Sequence, residues 1–218
     1  MKTFALALLI VLACGLSAFG SDCIVTSYDN YIGTSCGVGA DTFSNFSYST
    51  AGSSQMPSSS ITVNPVGSGF LFNAPWAAVG SQTQSSLIGF TANGSGINDV
   101  TLSMFGANVV GNGLVAVTEN YCAGDTFADL CANGIEGTLT TYLGAGLSKL
   151  NDSATFGAVN VVDVVKSIQL IGGGNASFAV LGGVENQFSG AVPEPTSVTL
   201  MVSGVAFVGS FLARRRKL

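Results

Sequence analysis

Between Ser21 and Ala191 the apolar residues come in short runs that alternate with polar ones and are cut by Gly, Asn, Ser or Asp, and no 3.6-residue stripe lasts more than a couple of turns. Ile61–Val63, Ser86–Thr91, Asp99–Phe105, Leu114–Glu119, Gly137–Leu143, Val164–Ile171 and Ser177–Leu181 read as strands. In Val100–Met104 and Thr138–Tyr142 the alternation predicts one buried face and one wet face. Asn93-Gly94, Asn112-Gly113 and Gly172-Gly173-Gly174 are predicted turns with positive φ. Val159–Val165 fits a short helix or a buried strand equally, because periodicity does not separate the two. Ala51–Ser60, mostly Gly, Ser and Gln around Met56-Pro57, reads as a loop, more a surface connection than a binding loop. Many short strands at this spacing predict an all-β domain, an antiparallel β-sandwich of jelly-roll type.

The two ends follow other patterns. Met1-Lys2-Thr3 is a short basic start, Phe4–Ala13 is a continuous apolar run, and Ala18-Phe19-Gly20 places small residues before Ser21. This is the layout of a secretory signal peptide, residues 1–20, and its apolar run is too short to cross a bilayer. Val11-Leu12-Ala13-Cys14 also resembles a lipobox, in which Cys14 would carry the lipid, although Leu12 is unusual at its position. At the other end, Val192-Pro193-Glu194-Pro195 precedes an uncharged stretch, 196–213, and then Arg214, Arg215, Arg216 and Lys217. As a helix the uncharged stretch spans about 27 Å, just enough to cross a membrane, and the cations would hold its end on the cytoplasmic side. Two prolines around one residue keep the preceding segment extended.

A Val-Pro-Glu-Pro motif, one hydrophobic span and an Arg-rich end resemble the PEP-CTERM sorting signal of Gram-negative bacteria. The resemblance implies that a membrane-embedded exosortase cuts near Pro193, Glu194 and Pro195, which are then recognition positions, while Arg214, Arg215, Arg216 and Lys217 set topology. It further implies an exported, single-pass membrane precursor that becomes a cell-surface or secreted protein in an organism making extracellular polysaccharide. The domain to be explained is therefore residues 21–191, followed by the sorting signal at 192–218.

Removing both ends changes the charge balance. The full chain carries a formal charge of −5, yet residues 22–192 keep two cations, Lys149 and Lys166, against eleven carboxylates. Such a surface repels phosphate backbones, which excludes nucleic-acid binding and leaves Ca²⁺ as the more plausible charged partner. Histidine is absent, so Ser-His-Asp and Cys-His nucleophiles and His-ligated metals are excluded together. No S-x-x-K motif surrounds either lysine. The four remaining cysteines in an exported chain predict two disulfides, with Cys23–Cys36 and Cys122–Cys131 chosen over the other pairings because they join sequence neighbours. A four-thiolate zinc site lacks the close ligand spacing it would need.

Candidate chemistry is sparse. Asp125 and Asp129 lie in the segment between Cys122 and Cys131, where oxygen ligands on a stapled loop suit Ca²⁺, although a solvated acidic loop explains them as well. Trp76, Tyr121 and Tyr142 would stack on sugar rings if they line one exposed face; a core role is the commoner one for such residues. A glycoside hydrolase would need two carboxylates across one cleft, and most aspartates here neighbour Asn, Gly or Ser, as turn-formers do. The Asn-x-Ser sequons at Asn45, Asn93, Asn151 and Asn175 are what chance gives in a chain this rich in Asn and Ser. The sequence thus predicts a non-enzymatic surface or matrix protein without cofactor, with exopolysaccharide binding as the alternative and hydrolysis as a second one.

Overall fold

A computed structural model describes residues 21–144 and 146–190 as an all-β domain of twelve strands. They are β1 (Thr26–Ser27), β2 (Cys36–Val38), β3 (Asp41–Gly52), β4 (Thr62–Val66), β5 (Gly69–Val79), β6 (Thr83–Phe105), β7 (Asn108–Val110), β8 (Leu114–Ala123), β9 (Ile135–Gly144), β10 (Leu147–Lys149), β11 (Asn151–Ile171) and β12 (Phe178–Gly190). Every strand pairing is antiparallel. Three single-turn 3₁₀ helices, Tyr28–Asn30, Ser58–Ser60 and Phe127–Asp129, are the only helices among the described residues, and none is long and apolar enough to cross a membrane. The sequence-read leader, the Pro-Glu-Pro motif, the hydrophobic span and the basic tail lie outside the described residues.

The longest pairing is a ribbon of β6 with β11, running from Thr83↔Ile171 to Ser103↔Asn151. Its register shifts between Thr155 and Val161, opposite the Asn93–Ile97 stretch of β6, where Gly96 has a φ of 76°. On one side of this irregularity β6 pairs with β3 and β11 with β8, which continues to β9. On the other side β6 pairs with β12, and β12 with β5 and β4 beyond it. Bulges bend strands and raise their twist, so one ribbon supplies strands to two layers.

The layers meet through aromatic side chains. Phe43 of β3 lies edge-on to Phe70 of β5 with ring centroids 4.6 Å apart, Phe90 of β6 is 5.9 Å from Phe72 of β5, and Phe90 also meets Phe188 of β12 at 6.1 Å. Edge-to-face and tilted pairs at these distances add to the gain from area burial. Trp76 belongs to the same core: it is 1% exposed, with its indole Nε1 donating to Ser86 Oγ at 3.2 Å. The sugar-platform role considered for Trp76 is therefore corrected, since no face of its ring reaches solvent.

Two bulges set which side chains turn inward. Phe43 and Phe46 are both buried although three residues apart, which strict alternation forbids. A register shift between Ser44 and Ser47 inserts the missing residue, and Asn45 takes a left-handed φ of 56°. The Tyr28 hydroxyl closes this region by donating to the carbonyls of Ser47 and Gly89, at 3.0 and 2.9 Å, and burial pushes its pKa up. In β12, Ala179 and Leu181 point inward before a shift at Gly182–Gly183, and Val184, Asn186 and Phe188 after it.

Each sequence-read strand falls on an observed one, with only Ile61 and Ser177 lying one residue ahead of β4 and β12, and Val159–Val165 resolves as strand inside β11. Asn93-Gly94 is corrected from a turn to the interior of β6. A Cβ on Gly94 would collide with the Asp41 carboxylate, so the glycine serves a close approach, and the left-handed residue is Gly96. The turn before β8 takes its positive φ at Gly111, while Gly173 and Gly174 provide it before β12. Ala51–Ser60 is pinned where it reads as loose, because Met56 is buried and its carbonyl accepts from the Tyr48 hydroxyl.

Phe70 touches five other rings, Tyr31, Phe43, Phe46, Phe72 and Phe90, so its truncation leaves a void between layers that cannot collapse freely. Phe70→Ala is expected to lower unfolding free energy by about 3–5 kcal/mol, read by urea denaturation with an unchanged m-value. A loss below about 1 kcal/mol would show that the layers do not rest on this cluster.

Candidate functional site

The inward stripes of three strands carry polar residues where apolar ones are expected. In β8 the buried series Val115, Val117, Tyr121 includes Glu119; in β11 the series Val162, Val164, Ile168, Leu170 includes Lys166; in β12 Asn186 lies between Val184 and Phe188. Glu119, Lys166 and Asn186 are all 0% exposed. Lys166 and Glu119 are direct cross-strand partners in the β8–β11 ladder, and Asn186 reaches them from the other layer.

Lys166 Nζ stands 3.1 Å from Glu119 Oε2, and Asn186 Nδ2 donates to both Glu119 oxygens at 2.7 Å. The rings of Phe72 and Phe90 cover the amine, with centroids 4.8 and 5.1 Å from Nζ. Burial pushes the Lys166 pKa down, and the neighbouring Glu119 carboxylate raises it only in part. The ion-pair approach is off hydrogen-bonding geometry, so Nζ has no hydrogen-bond acceptor, and Asn186 Oδ1 has no donor. Groups in this state cost free energy in a low-dielectric core, since burial removes water without supplying a full replacement. Alternation within Leu114–Glu119 and Val164–Ile171 already carries the signal for Glu119 and Lys166, because continuing each apolar stripe by two residues lands on them.

Both predicted disulfides form, Cys23–Cys36 with Cα atoms 4.9 Å apart and Cys122–Cys131 with 5.7 Å. The second closes the loop holding Asp125 and Asp129. Asp125 Oδ1 accepts from the Thr126 N–H at 2.9 Å and Oδ2 from the Asn133 N–H at 3.0 Å, and these bonds hold its pKa below the usual carboxylate range. Asp129 ends the adjoining 3₁₀ turn. Asp163 of β11 ties the loop to the sheet by accepting from the Phe127 N–H at 2.9 Å and the Thr91 hydroxyl at 2.7 Å. Among the described residues no group of three or more Cys, Asp or Glu side chains gathers as a metal-binding cluster.

The outer face of the layer containing β5 and β12 bears a groove of about 390 Å³ beside the Gly182–Gly183 bulge. Phe105, 47% exposed, stands with Asn73 and Glu185 around it, and the bare glycines widen it. Glu185 is the one carboxylate among its lining residues, so the carboxylate pair of glycoside hydrolysis is not assembled there. Of the aromatics singled out in the sequence, Trp76 and Tyr121 are buried, Tyr121 against Phe156 at 5.7 Å, and Tyr142 is half-buried in β9. Phe105 has no polar handle and gives no such signal in the sequence.

Residues 191–217 match the family model for the PEP-CTERM protein-sorting motif. No curated protein matches the chain. Among solved structures, TmCBM61 in complex with β-1,4-galactotriose is 10% identical, with 65% of this chain and 88% of that one covered and a TM-score of 0.36. The enzymatically active domain of bacteriophage CBA120 tailspike protein 4 is 10% identical over 67% of this chain and 20% of its own, at a TM-score of 0.32. The family 11 xylanase from Neocallimastix patriciarum is 11% identical over 66% and 92%, at 0.27.

The Asp125 bonds have a definite pH dependence. Its pKa is depressed in the folded state, so its contribution is present above the unfolded value of 3.8 and is lost as pH falls through the lower folded value. Asp125→Ala is expected to melt below wild type at pH 7 and to converge with it as pH drops under that value, read by thermal unfolding monitored by circular dichroism. Parallel melting curves at every pH would show that the carboxylate does not brace the loop.

Proposed function

Taking the carboxyl-terminal PEP-CTERM motif as premise, we propose that the chain is exported, held by its tail in the membrane, and cut by an exosortase near Pro193-Glu194-Pro195. What remains is a non-enzymatic structural or adhesive domain at the cell surface or in the extracellular matrix. The observation that carries this reading is the sorting motif over residues 191–217. Support comes from the two disulfides, which suit an oxidising compartment, and from the near absence of cations in the domain, which suits a soluble surface in a polyanion-rich exterior. Within this reading the sandwich is of jelly-roll type, a view supported by strands that pass from one layer to the other. The Ca²⁺ reading of Asp125 and Asp129 finds less support, because both Asp125 oxygens already serve backbone donors.

The groove at Phe105 favours a second reading, a binding site for exopolysaccharide. An exposed ring beside an amide and a carboxylate offers what a pyranose uses: an apolar face to stack on and acceptors for its hydroxyls.

Replacement of Pro193, Glu194 and Pro195 by alanine is expected to leave a membrane-bound precursor that keeps Arg214–Leu218, whereas native protein ends near residue 192. Intact-mass analysis of both forms checks this, and native material that retains its basic tail overturns exosortase processing. For the groove, Phe105→Ala is expected to weaken retention on the organism's own exopolysaccharide by roughly tenfold, the equivalent of one lost ring contact. Its unfolding curve should stay close to that of wild type, since exposed substitutions shift stability little. Equal retention of the two proteins removes the binding reading.

A further inference from the structure

Lys166, Glu119 and Asn186 form a reactive arrangement, because a primary amine, a carboxamide and a carboxyl group are held together out of water. Lys166 Nζ and Asn186 Nδ2 both approach the same oxygen, Glu119 Oε2, at 3.1 and 2.7 Å. Lys166 lies on β11 and Asn186 on β12, in opposite layers, so a bond between them would tie the sandwich through its middle. We propose that Lys166 and Asn186 condense spontaneously to an intramolecular isopeptide bond that crosslinks the two layers, with Glu119 carrying the protons.

The chemistry balances without an added reagent. Transfer of one proton from the ammonium to Glu119 leaves a neutral amine and a neutral acid, a pair that an apolar core tolerates better than two ions. The amine lone pair attacks Asn186 Cγ and forms the new C–N bond. Glu119, already hydrogen-bonded to Nδ2, delivers its proton to that nitrogen and takes one from the attacking nitrogen as the old C–N bond breaks. Ammonia leaves, an amide remains, and Glu119, a carboxylate at the outset, ends protonated with the proton the ammonium gave up. A desolvated lysine is an effective nucleophile, and fixed neighbours in well-oriented intramolecular reactions reach effective molarities of about 10⁵–10⁸ M.

The geometry also accounts for what an ion pair alone leaves unexplained. The two polar atoms without partners in this centre are Lys166 Nζ and Asn186 Oδ1, one on each side of the bond to be made. Condensation replaces an ammonium with three protons to satisfy by an amide with one, and removes a buried charge from beside Phe72 and Phe90. An ion pair kept for stability alone has little to recommend it here, since such pairs are often no better than apolar residues of equal volume.

Intact-mass measurement of the exported protein, disulfides closed and both termini assigned from its terminal peptides, tests the bond directly. The wild-type protein is expected to fall short of its sequence mass by one ammonia, about 17 Da, beyond the loss from two disulfides. Chymotryptic digestion should then yield a branched peptide joining Lys166 to Asn186. Asn186→Asp should still form the bond but lose water, about 18 Da relative to its own sequence mass, because the leaving group changes from amine to hydroxyl. Glu119→Ala should abolish the loss. A folded wild-type protein with no deficit overturns the proposal, and so does an ammonia loss that maps to Asn93, Asn112 or Asn133, which precede glycine, as cyclisation there would give the same mass. The wild-type measurement decides whether or not the variants fold, and its outcome is independent of where the tail is cut.

Discussion

The ribbon of β6 and β11 is the constraint from which the remaining structure follows. Its two long strands stay hydrogen-bonded from Thr83↔Ile171 to Ser103↔Asn151, yet the partners on either flank change halfway, from β3 and β8 to β12. An antiparallel pair can do this only if it bends, and the irregular register at Thr155–Val161 and the left-handed Gly96 locate the bend. Once it bends, the inward faces of both halves confront each other, and the phenylalanines of β3, β5, β6 and β12 are brought within ring-contact distance. The two disulfides then act at the periphery. They secure the amino-terminal segment and the loop between β8 and β9, away from the ribbon itself.

The same confrontation produces the buried polar centre. Glu119 and Lys166 face each other within one layer because register pairs them, and Asn186 arrives only because the second layer is folded over them. A core of aromatic and aliphatic side chains offers few spare acceptors, so the three groups must answer one another's polarity. Their mutual satisfaction is incomplete as free side chains. Among the described residues the Thr141 hydroxyl shares this incompleteness, but only in this centre do two unpartnered groups meet at one carboxylate; Ser86, by contrast, accepts from Trp76.

The domain and its tail have different physical tasks. An exported domain has to keep its fold where ATP is absent, and the disulfides and the aromatic packing both serve that end. The tail carries the sorting motif, whose parts, Pro193-Glu194-Pro195, an uncharged stretch and a cationic end, follow one another along the sequence and ask nothing of the fold. The outer groove at Phe105 is the place where the domain offers an apolar ring to its surroundings beside polar groups, and it owes its depth to the glycines of the β12 bulge.

Local chemistry is enough to specify the β class, the strand positions, the cysteine pairs and the sorting signal. Each depends on residues close in sequence: alternation along a strand, sequence separations of 13 and 9 between paired cysteines, three motif parts in order. Bulges escape such reading, since Phe43 and Phe46 look out of phase until Asn45 is seen to step aside, and Asn93-Gly94 reads as a hairpin turn until Asp41 is found against Gly94. The fate of Trp76 was equally undecided by its sequence context and is settled by the layer that covers it. The grouping of Glu119, Lys166 and Asn186 depends on contacts between residues 67 positions apart, across two layers that meet only because a ribbon bends. Inward parity for each can be read from its own strand, but their proximity is a property of the closed sandwich alone, because no local pattern records which strands will face each other across a core.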